Sequence, residues 1–237
     1  MGLRTEAEWL AVVTTAPREP VTICRTLKAL ASAGFREILV SAEPGSHHPR
    51  QLPGRAIVHW ICNERRLHPW PHWLTALRYA IERHPGAQIV MFQDDVLAGR
   101  DMLPWLDGMI WRPWLCDSVG VCSLWLTGFH DRADMRPGEW WTLADEEMPR
   151  RCYGALATVW TADRAERLLR DPPGPGSLTK IDIWLGRYCR DARLAWIQPG
   201  VSLVQHIGDG ISSIDPKAKR DAIYRQAARW VKHAPQK

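Results

Sequence analysis

The first half of the chain alternates short apolar runs with amphipathic stretches, and this alternation constrains the fold more than any other feature. Four runs rich in β-branched or other apolar residues have strand length: Trp9–Thr15, Glu37–Ala42, 56–61 and 88–92. Between them, residues 21–33 and 73–81 place apolar side chains on one helical face. Strands separated by helices favour right-handed βαβ units. The sequence therefore predicts a Rossmann-like α/β fold with a mostly parallel central sheet flanked by helices.

The second half of the chain is less regular, so its elements are predicted one by one. Strands are expected at 119–125 and 155–160, a helix within 99–114, and a second helix over Ala162–Arg170. Residues 126–151 are polar and glycine-containing, which predicts mainly loops.

Length and composition favour a single cytoplasmic domain. A chain of 237 residues is long enough to bury one sizeable core. No apolar run approaches the ~20 residues of a membrane-spanning helix, and the first eight residues lack the basic and apolar blocks of a signal peptide. The six cysteines include no Cys-x-x-Cys pair and are expected to be reduced.

Two consecutive carboxylates follow the fourth predicted strand, in the tripeptide Gln93-Asp94-Asp95. Ligands of parallel α/β sheets bind outside the carboxyl ends of the strands. Two carboxylates there are costly unless a positive charge neutralises them, and a divalent cation that bridges to a diphosphate would do so. The alternative is a solvated turn in which an aspartate acts as a capping residue.

This tripeptide resembles the DxD-type motif of GT-A glycosyltransferases, especially the Glu-Asp-Asp variant of N-acetylglucosaminyltransferase I. The resemblance implies a GT-A fold, a nucleotide-sugar donor and a Mn²⁺ or Mg²⁺ cofactor. It makes Asp95 the principal metal ligand and places Asp94 and Gln93 near the ribose and the sugar. Gln93 departs from the usual acidic first residue of the motif.

The resemblance covers roughly residues 11–213 and implies a nucleotide site at the ends of the first three strands. In these enzymes the loop after the first strand cradles the nucleotide, and the corresponding residues here are Thr14, Thr15, Ala16 and Arg18. Arg18 is expected to pair with phosphate. Glu43, after the second strand, is expected to contact the base or ribose, and Asn63, after the third, is a further candidate. Each of these residues is also compatible with an ordinary turn.

A later carboxylate, Asp182, is the candidate catalytic base. It stands in the segment Lys180-Ile-Asp-Ile-Trp-Leu185, which resembles the Asp-x-Trp region that supplies the base in N-acetylglucosaminyltransferase I. A carboxylate within hydrogen-bond reach takes the proton from an acceptor hydroxyl as that oxygen attacks the anomeric carbon. The alternative role for Asp182 is that of a helix N-cap.

A short apolar strand then delivers His206 into a loop of small residues. The segment resembles the Val-Gln-His-Ile-Gly-x-x-Ser-Ser segments of bacterial sugar transferases, and a late histidine completes the metal site in many GT-A enzymes. The resemblance makes His206 the second metal ligand, while Ser212 and Ser213 are expected to contact phosphate oxygens. A lone histidine is otherwise most often a structural residue.

The resulting prediction is a single GT-A domain that transfers a sugar from a UDP-sugar to an acceptor hydroxyl. Residues 1–98 form its nucleotide-binding half, 99–215 its acceptor-binding half, and 216–237 a basic C-terminal helix. With one base and no second carboxylate clearly available as nucleophile, inversion at the anomeric carbon is expected.

Charge bears on the acceptor. The formal net charge of +5 favours a polyanionic partner. Some phage enzymes glucosylate hydroxymethylated pyrimidines in DNA, and we favour such an acceptor because no membrane anchor is evident; the location would then be the host cytoplasm. The alternative is a glycan or glycolipid, with Trp140 and Trp141 stacking on sugar rings and the basic helix in peripheral contact with a membrane.

Two other classes of protein fit parts of the sequence. A sugar nucleotidyltransferase would share the fold and the metal but should carry a glycine-rich first loop, and Thr14-Thr-Ala-Pro-Arg18 contains no glycine. A non-catalytic nucleic-acid-binding protein would explain the charge and the tryptophans. It would not explain why carboxylates and a histidine stand at the ends of predicted elements in this order.

Overall fold

The computed structural model describes residues 9–50, 55–100, 102–109, 118–126, 139–143, 148, 152, 155–172 and 180–208. The strands within these ranges are β1 Trp9–Thr15, β2 Glu37–Ala42, β3 Ile57–Cys62, β4 Gln88–Gln93, β5 Val96–Ala98, β6 Val119–Ser123, β7 Trp140–Thr142, β8 Ala157–Trp160, β9 Ala195–Pro199 and β10 Val204–His206. The helices are α1 Ile23–Ser32, α2 Pro69–Arg83, α3 Met102–Met109, α4 Ala162–Arg170 and α5 Ile181–Asp191. No helix in these ranges is both long and apolar enough to cross a membrane.

The central sheet contains eight strands in the order β3-β2-β1-β4-β8-β6-β9-β7. β1 pairs in parallel with β2 and with β4, β2 pairs in parallel with β3, and β6 pairs in parallel with β9. β8 is antiparallel to both of its neighbours, and β7 is antiparallel to β9. The predicted mostly parallel sheet is therefore confirmed. The short strands β5 and β10 form a separate antiparallel pair.

Helices cover both faces of the sheet because successive residues of its inner strands point to opposite sides. On β1, Ala11 and Val13 belong to the core beneath α1 and α3. Leu10 and Val12 belong to the core beneath α2, α4 and α5. This three-layer arrangement is the predicted one, with apolar runs buried on both faces as parallel sheets require.

Most tryptophans of the described chain are core residues, as their size predicts. The buried ones are Trp9, Trp70, Trp73, Trp105, Trp125, Trp160, Trp184 and Trp196. Trp140, considered above as a sugar-stacking residue, instead packs its ring 5.3 Å from that of Trp105. The side chain of Trp141 lies outside the described residues.

The predicted element boundaries hold within a few residues, and the differences concern short strands. Residues 126–151 were expected to be mainly loops, but β7 lies among them and pairs with the sheet edge. The strands β5 and β9 were not predicted. β5 and β7 have three residues each, too few for a period-2 pattern to be recognised. The predicted C-terminal helix at 216–237 lies outside the described residues.

Candidate functional site

The candidate site lies where β1 and β4 end side by side. From β1 the chain proceeds outward to β2 and β3, and it then returns to form β4 on the other side of β1. The connections that leave β1 and β4 therefore run in opposite directions, and the carboxyl ends of two such strands are where open α/β sheets usually bind ligands. Thr14 of β1 is the register partner of Gln93 of β4. The two aspartates that follow Gln93 thus stand at the topological switch point of the sheet.

Asp94 is turned towards the loop after β1. Its Oδ2 accepts a hydrogen bond of 2.6 Å from the Thr15 hydroxyl, and its Oδ1 lies 3.1 Å from Nη2 of Arg18. The backbone N–H of Ala16 also donates to this carboxylate. The predicted nucleotide loop and the first aspartate are therefore in direct contact.

Asp95 is the point at which three distant parts of the chain converge. Its Oδ2 lies 2.5 Å from Nη1 of Arg18 and 2.9 Å from Nε2 of His206. The backbone continues this contact, because the N–H of Ile207 donates to the Asp95 carbonyl oxygen over 2.8 Å. The structure thus joins three residues that the sequence placed in one site: Arg18, Asp95 and His206.

Two features fix the position of the aspartate pair. The Thr26 hydroxyl, in α1, donates to the Asp94 carbonyl oxygen over 2.7 Å and accepts from the Val96 N–H at 3.3 Å. The β5–β10 pair then aligns Val96 with His206. The turn that carries both carboxylates is consequently held from the α1 side and from the β10 side.

The two carboxyl groups differ in electrostatic character. Asp94 is 3% exposed and Asp95 5%. Burial raises the pKa of Asp94, against the opposing charge of Arg18. Burial also works to raise the pKa of Asp95, but the hydrogen bond and charge of His206, together with Arg18, outweigh it and hold that pKa below its usual range. Asp95 is thus the carboxylate whose ionised form the surroundings stabilise more.

The Asp95–His206 pair fits a divalent cation. Ligand atoms about 2.1 Å from an octahedral ion and at right angles to each other lie about 3 Å apart, close to the 2.9 Å found between Oδ2 and Nε2. Asp95 Oδ1 is buried and has no hydrogen-bond partner within the described part of the chain. Gly208 leaves the space open, since a Cβ there would lie 2.8 Å from both Asp95 Oδ2 and His206 Nε2.

The protein alone would not complete such a metal site. Among the described residues, no group of three or more His, Cys, Asp or Glu side chains is arranged to hold a metal ion. Two protein ligands suit a cation that takes its remaining ligands from phosphate oxygens and water, as Mg²⁺ commonly does.

A second polar cluster lies next along the same edge, at the ends of β2 and β3. Glu43 Oε1 accepts from the Leu67 N–H at 2.9 Å, and Arg66 Nε lies 3.3 Å from Oε2. Asn63 donates its backbone N–H to the Ala42 carbonyl oxygen. Asn63 therefore joins the ends of β2 and β3, while Glu43 joins the end of β2 to the segment that precedes α2.

His72 of α2 is the remaining member of this second cluster. Its Nε2 lies 3.0 Å from the Ser41 hydroxyl oxygen, and its Nδ1 lies 3.7 Å from Glu43 Oε1. Burial lowers the pKa of His72, although Glu43 and the Ser41 carbonyl oppose the shift. Ser41, His72 and Glu43 are all at least nine-tenths buried. Although these are the residue types of a hydrolase triad, the Ser41 hydroxyl is therefore not accessible to a substrate as a nucleophile.

Asp182 lies at the same edge of the sheet, at the start of α5. It lies in the first turn of α5, where its Oδ1 accepts from the Ile183 N–H at 3.0 Å. α5 packs against β6 and β9 and leads by a short turn into β9. A helix that precedes a parallel strand in this way begins at the carboxyl edge. Asp182 and the aspartate pair therefore share one edge of the sheet; Ser212 and Ser213 lie outside the described residues.

Three site residues were not identified from the sequence. Thr26 interrupts the apolar face of α1 with a buried hydroxyl, and His72 does the same in α2. A polar residue on an otherwise apolar helical face is a usable signal, but it does not specify the partner. Gly208 was noted only as part of a small-residue loop, and its close approach to Asp95 depends on pairing between distant strands.

Comparison with known proteins adds no assignment. A scan against protein-family models finds no match, and a search of curated proteins finds no significant relative.

Proposed function

We propose that the protein is a metal-dependent glycosyltransferase of the GT-A type, which transfers a sugar from a nucleoside-diphosphate sugar, with UDP as the first expectation, to an acceptor hydroxyl. One observation carries the proposal. At the topological switch point, Arg18 and His206 converge on Asp95 beside a second carboxylate. One guanidinium, one imidazole and two carboxylates together form a group that suits a diphosphate bound with a divalent cation.

The roles follow from position. The end of β1, with Thr14 and Thr15, and the following Ala16 border the site and are proposed to cradle the nucleotide, while Glu43 and Asn63 lie at the neighbouring strand ends. Asp95 and His206 would hold a Mn²⁺ or Mg²⁺ ion. When bound, that ion supplies positive charge for the leaving diphosphate. Gln93 and Asp94, at the end of β4, are proposed to lie along the sugar and ribose.

Asp182 is proposed as the general base. It accepts the proton of the acceptor hydroxyl while that oxygen forms a bond to the anomeric carbon and the bond to the diphosphate oxygen breaks. A single base and a direct displacement give inversion at the anomeric carbon. A product with the anomeric configuration of the donor would contradict this assignment.

The proposed acceptor is a hydroxymethylated pyrimidine in DNA. Its support is the formal charge of +5, which favours association with a phosphate backbone. A glycan or glycolipid acceptor is the alternative, and the packing of Trp140 against Trp105 weakens the use of that ring as a sugar platform.

The test is a transfer assay. The purified protein is incubated with Mn²⁺, a panel of nucleotide sugars and DNA with or without hydroxymethylcytosine, and released nucleotide and modified nucleoside are measured by mass spectrometry. A hexose-sized mass gain on the modified base is the expected result. Nucleotide release without DNA modification would direct the search to glycans. Tight DNA binding that Asp95→Ala leaves unchanged, without turnover of any donor, would favour a non-catalytic nucleic-acid-binding protein.

Gly208→Ala is expected to lower turnover by roughly 10²-fold, because the added Cβ must displace Asp95 or His206 from their present contact. The backbone at Gly208 does not require glycine, so the only expected loss of stability is that of the disturbed Asp95–His206 contact, about 1 to 3 kcal/mol. Steady-state kinetics and a thermal melt measure the two effects.

Gly86→Ala is the matched control, a glycine substitution that lowers stability without adding an atom near the site. Gly86 has φ +86° and open space around its Cβ position, so alanine should cost stability, about 1 kcal/mol, and leave turnover unchanged. Equal turnover of Gly208→Ala and the unsubstituted protein would show that the approach of Gly208 to Asp95 is not part of the site.

A further inference from the structure

Arg18 occupies the position in which a cation would contact both carboxylates. Its two terminal nitrogens are divided between Asp95, at 2.5 Å, and Asp94, at 3.1 Å. It contacts the same Asp95 oxygen that faces His206. A guanidinium in this place repels a divalent cation and competes with it for Asp95 Oδ2.

The net charge near Asp95 depends on whether a cation, or a cation together with a diphosphate, is bound there. With Arg18 in place, one full positive charge opposes the two carboxylates, which leaves an excess of one negative charge when both are ionised. A divalent cation added alone turns this into an excess of one positive charge beside two buried carboxylates, and such an excess is costly. The diphosphate group of a nucleotide sugar carries two negative charges, so adding it together with the cation returns the site to its original net charge.

The bonding of Arg18 is also incomplete. Its Nε is buried and has no hydrogen-bond partner in the ranges that the structure describes. The side chain is still 19% exposed and extends from the loop between β1 and α1. A phosphate oxygen arriving at these strand ends can accept from the nitrogens of Arg18, and two such contacts would compensate for those to the aspartates.

From these observations we infer that the metal and the nucleoside diphosphate bind cooperatively, and that Arg18 couples them by exchanging the aspartates for phosphate. The inference rests on the proposed function, since it takes Asp95 and His206 as the cation site. Arg18 is a positioning residue in this scheme: without a diphosphate it keeps the divalent cation out, and with one it holds the phosphate.

The probe is Mn²⁺, titrated into metal-free protein with and without UDP and followed by the electron paramagnetic resonance signal of free Mn²⁺; the Mn²⁺ that UDP binds in protein-free solution is measured separately and subtracted. In the unsubstituted protein, UDP is expected to tighten Mn²⁺ binding by about tenfold or more. Arg18→Met keeps the aliphatic stem and removes the charge. This variant should bind Mn²⁺ alone about tenfold more tightly than the unsubstituted protein, and the gain caused by UDP should shrink.

Two further variants distinguish the effect of the Arg18 charge from a general effect of substituting an arginine. Arg18→Lys keeps the positive charge and should bind Mn²⁺ alone as weakly as the unsubstituted protein. Arg190→Met removes an exposed arginine that pairs with Asp191 at the far end of α5, and it should change neither titration. Far-ultraviolet circular dichroism and a thermal melt establish that each variant is folded.

The unsubstituted protein provides a test that depends on no variant. By linkage, Mn²⁺ must tighten UDP binding by the factor by which UDP tightens Mn²⁺ binding. Equal Mn²⁺ affinity with and without UDP overturns the inference, as does an Arg18→Met variant that binds Mn²⁺ alone no more tightly. If these results appear together with donor turnover, only the coupling role of Arg18 fails. If Mn²⁺ binds in no condition and no donor is turned over, the proposed function fails with it.

Discussion

Asp95→Asn is expected to reduce sugar transfer by at least about 10²- to 10³-fold, which is the effect of removing one electrostatic contact to the transition state. Asparagine has the shape of aspartate, so the turn between β4 and β5 is preserved. The negative charge that faces Arg18 and His206 is lost, and a neutral amide oxygen is a much weaker ligand for a hard divalent cation. The loss should be measured as kcat/KM for the donor at saturating Mn²⁺.

Stability should respond much less than activity to this substitution. Arg18 keeps its contact with Asp94, so no buried charge is left without a partner, and the free energy of unfolding should fall by about 1 to 3 kcal/mol at most. Asp163→Asn is the control, because Asp163 lies in the exposed first turn of α4. A kcat/KM within about twofold of the unsubstituted value in Asp95→Asn would mean that Asp95 has no part in the chemistry.

Asp182→Asn is expected to lower kcat by about 10²- to 10⁴-fold while the donor binds as before, since removal of a general base affects proton transfer and not donor binding. Asp182 and the aspartate pair lie on different elements that meet only at the carboxyl edge of the sheet. The donor site formed by β1, β4 and β10 should therefore be intact. Donor affinity is measured by calorimetry, and kcat by single-turnover and steady-state assays.

Asp191→Asn is a closely matched control because Asp191 is the last residue of the same helix. It pairs with Arg190 at the surface, and its loss should not alter kcat. A small effect on kcat in Asp182→Asn would mean that Asp182 only stabilises the start of α5. The base would then have to be sought among the other carboxylates at the carboxyl edge of the sheet.

The strands and helices that were correctly predicted are those whose pattern is long and local. β1, β2 and α4 match their predicted ranges because each is a continuous run bounded by clear breakers. β9 was missed because Ala-Trp-Ile-Gln-Pro has no period-2 pattern and ends in proline. It is a strand because both of its neighbours, β6 and β7, pair with it, and this information lies elsewhere in the chain.

The site residues also differ in whether the local sequence or the tertiary packing determines them. The aspartates were identified because they follow a predicted strand, and Arg18 because it lies in the loop after the first strand, which cradles the nucleotide in the enzymes that this chain resembles. The sequence predicted that Arg18 would pair with phosphate, whereas in the structure it pairs with Asp94 and Asp95. An arginine carries five N–H donors, and the sequence alone does not specify which acceptors they contact. The contacts of Thr26 and His72 likewise depend on packing between helix and sheet.

The three-residue pairing of β5 with β10 has a consequence for the order in which the molecule assembles. Asp95 and His206 are 111 positions apart, and the ribbon next to them contributes only three aligned residue pairs. Closing so long a loop is entropically unfavourable until the sheet between them exists. A slip of one residue in the ribbon would turn His206 to the opposite face. We therefore expect the contact between Asp95 and His206 to form late in folding, so that its presence would report that the chain has reached its native register.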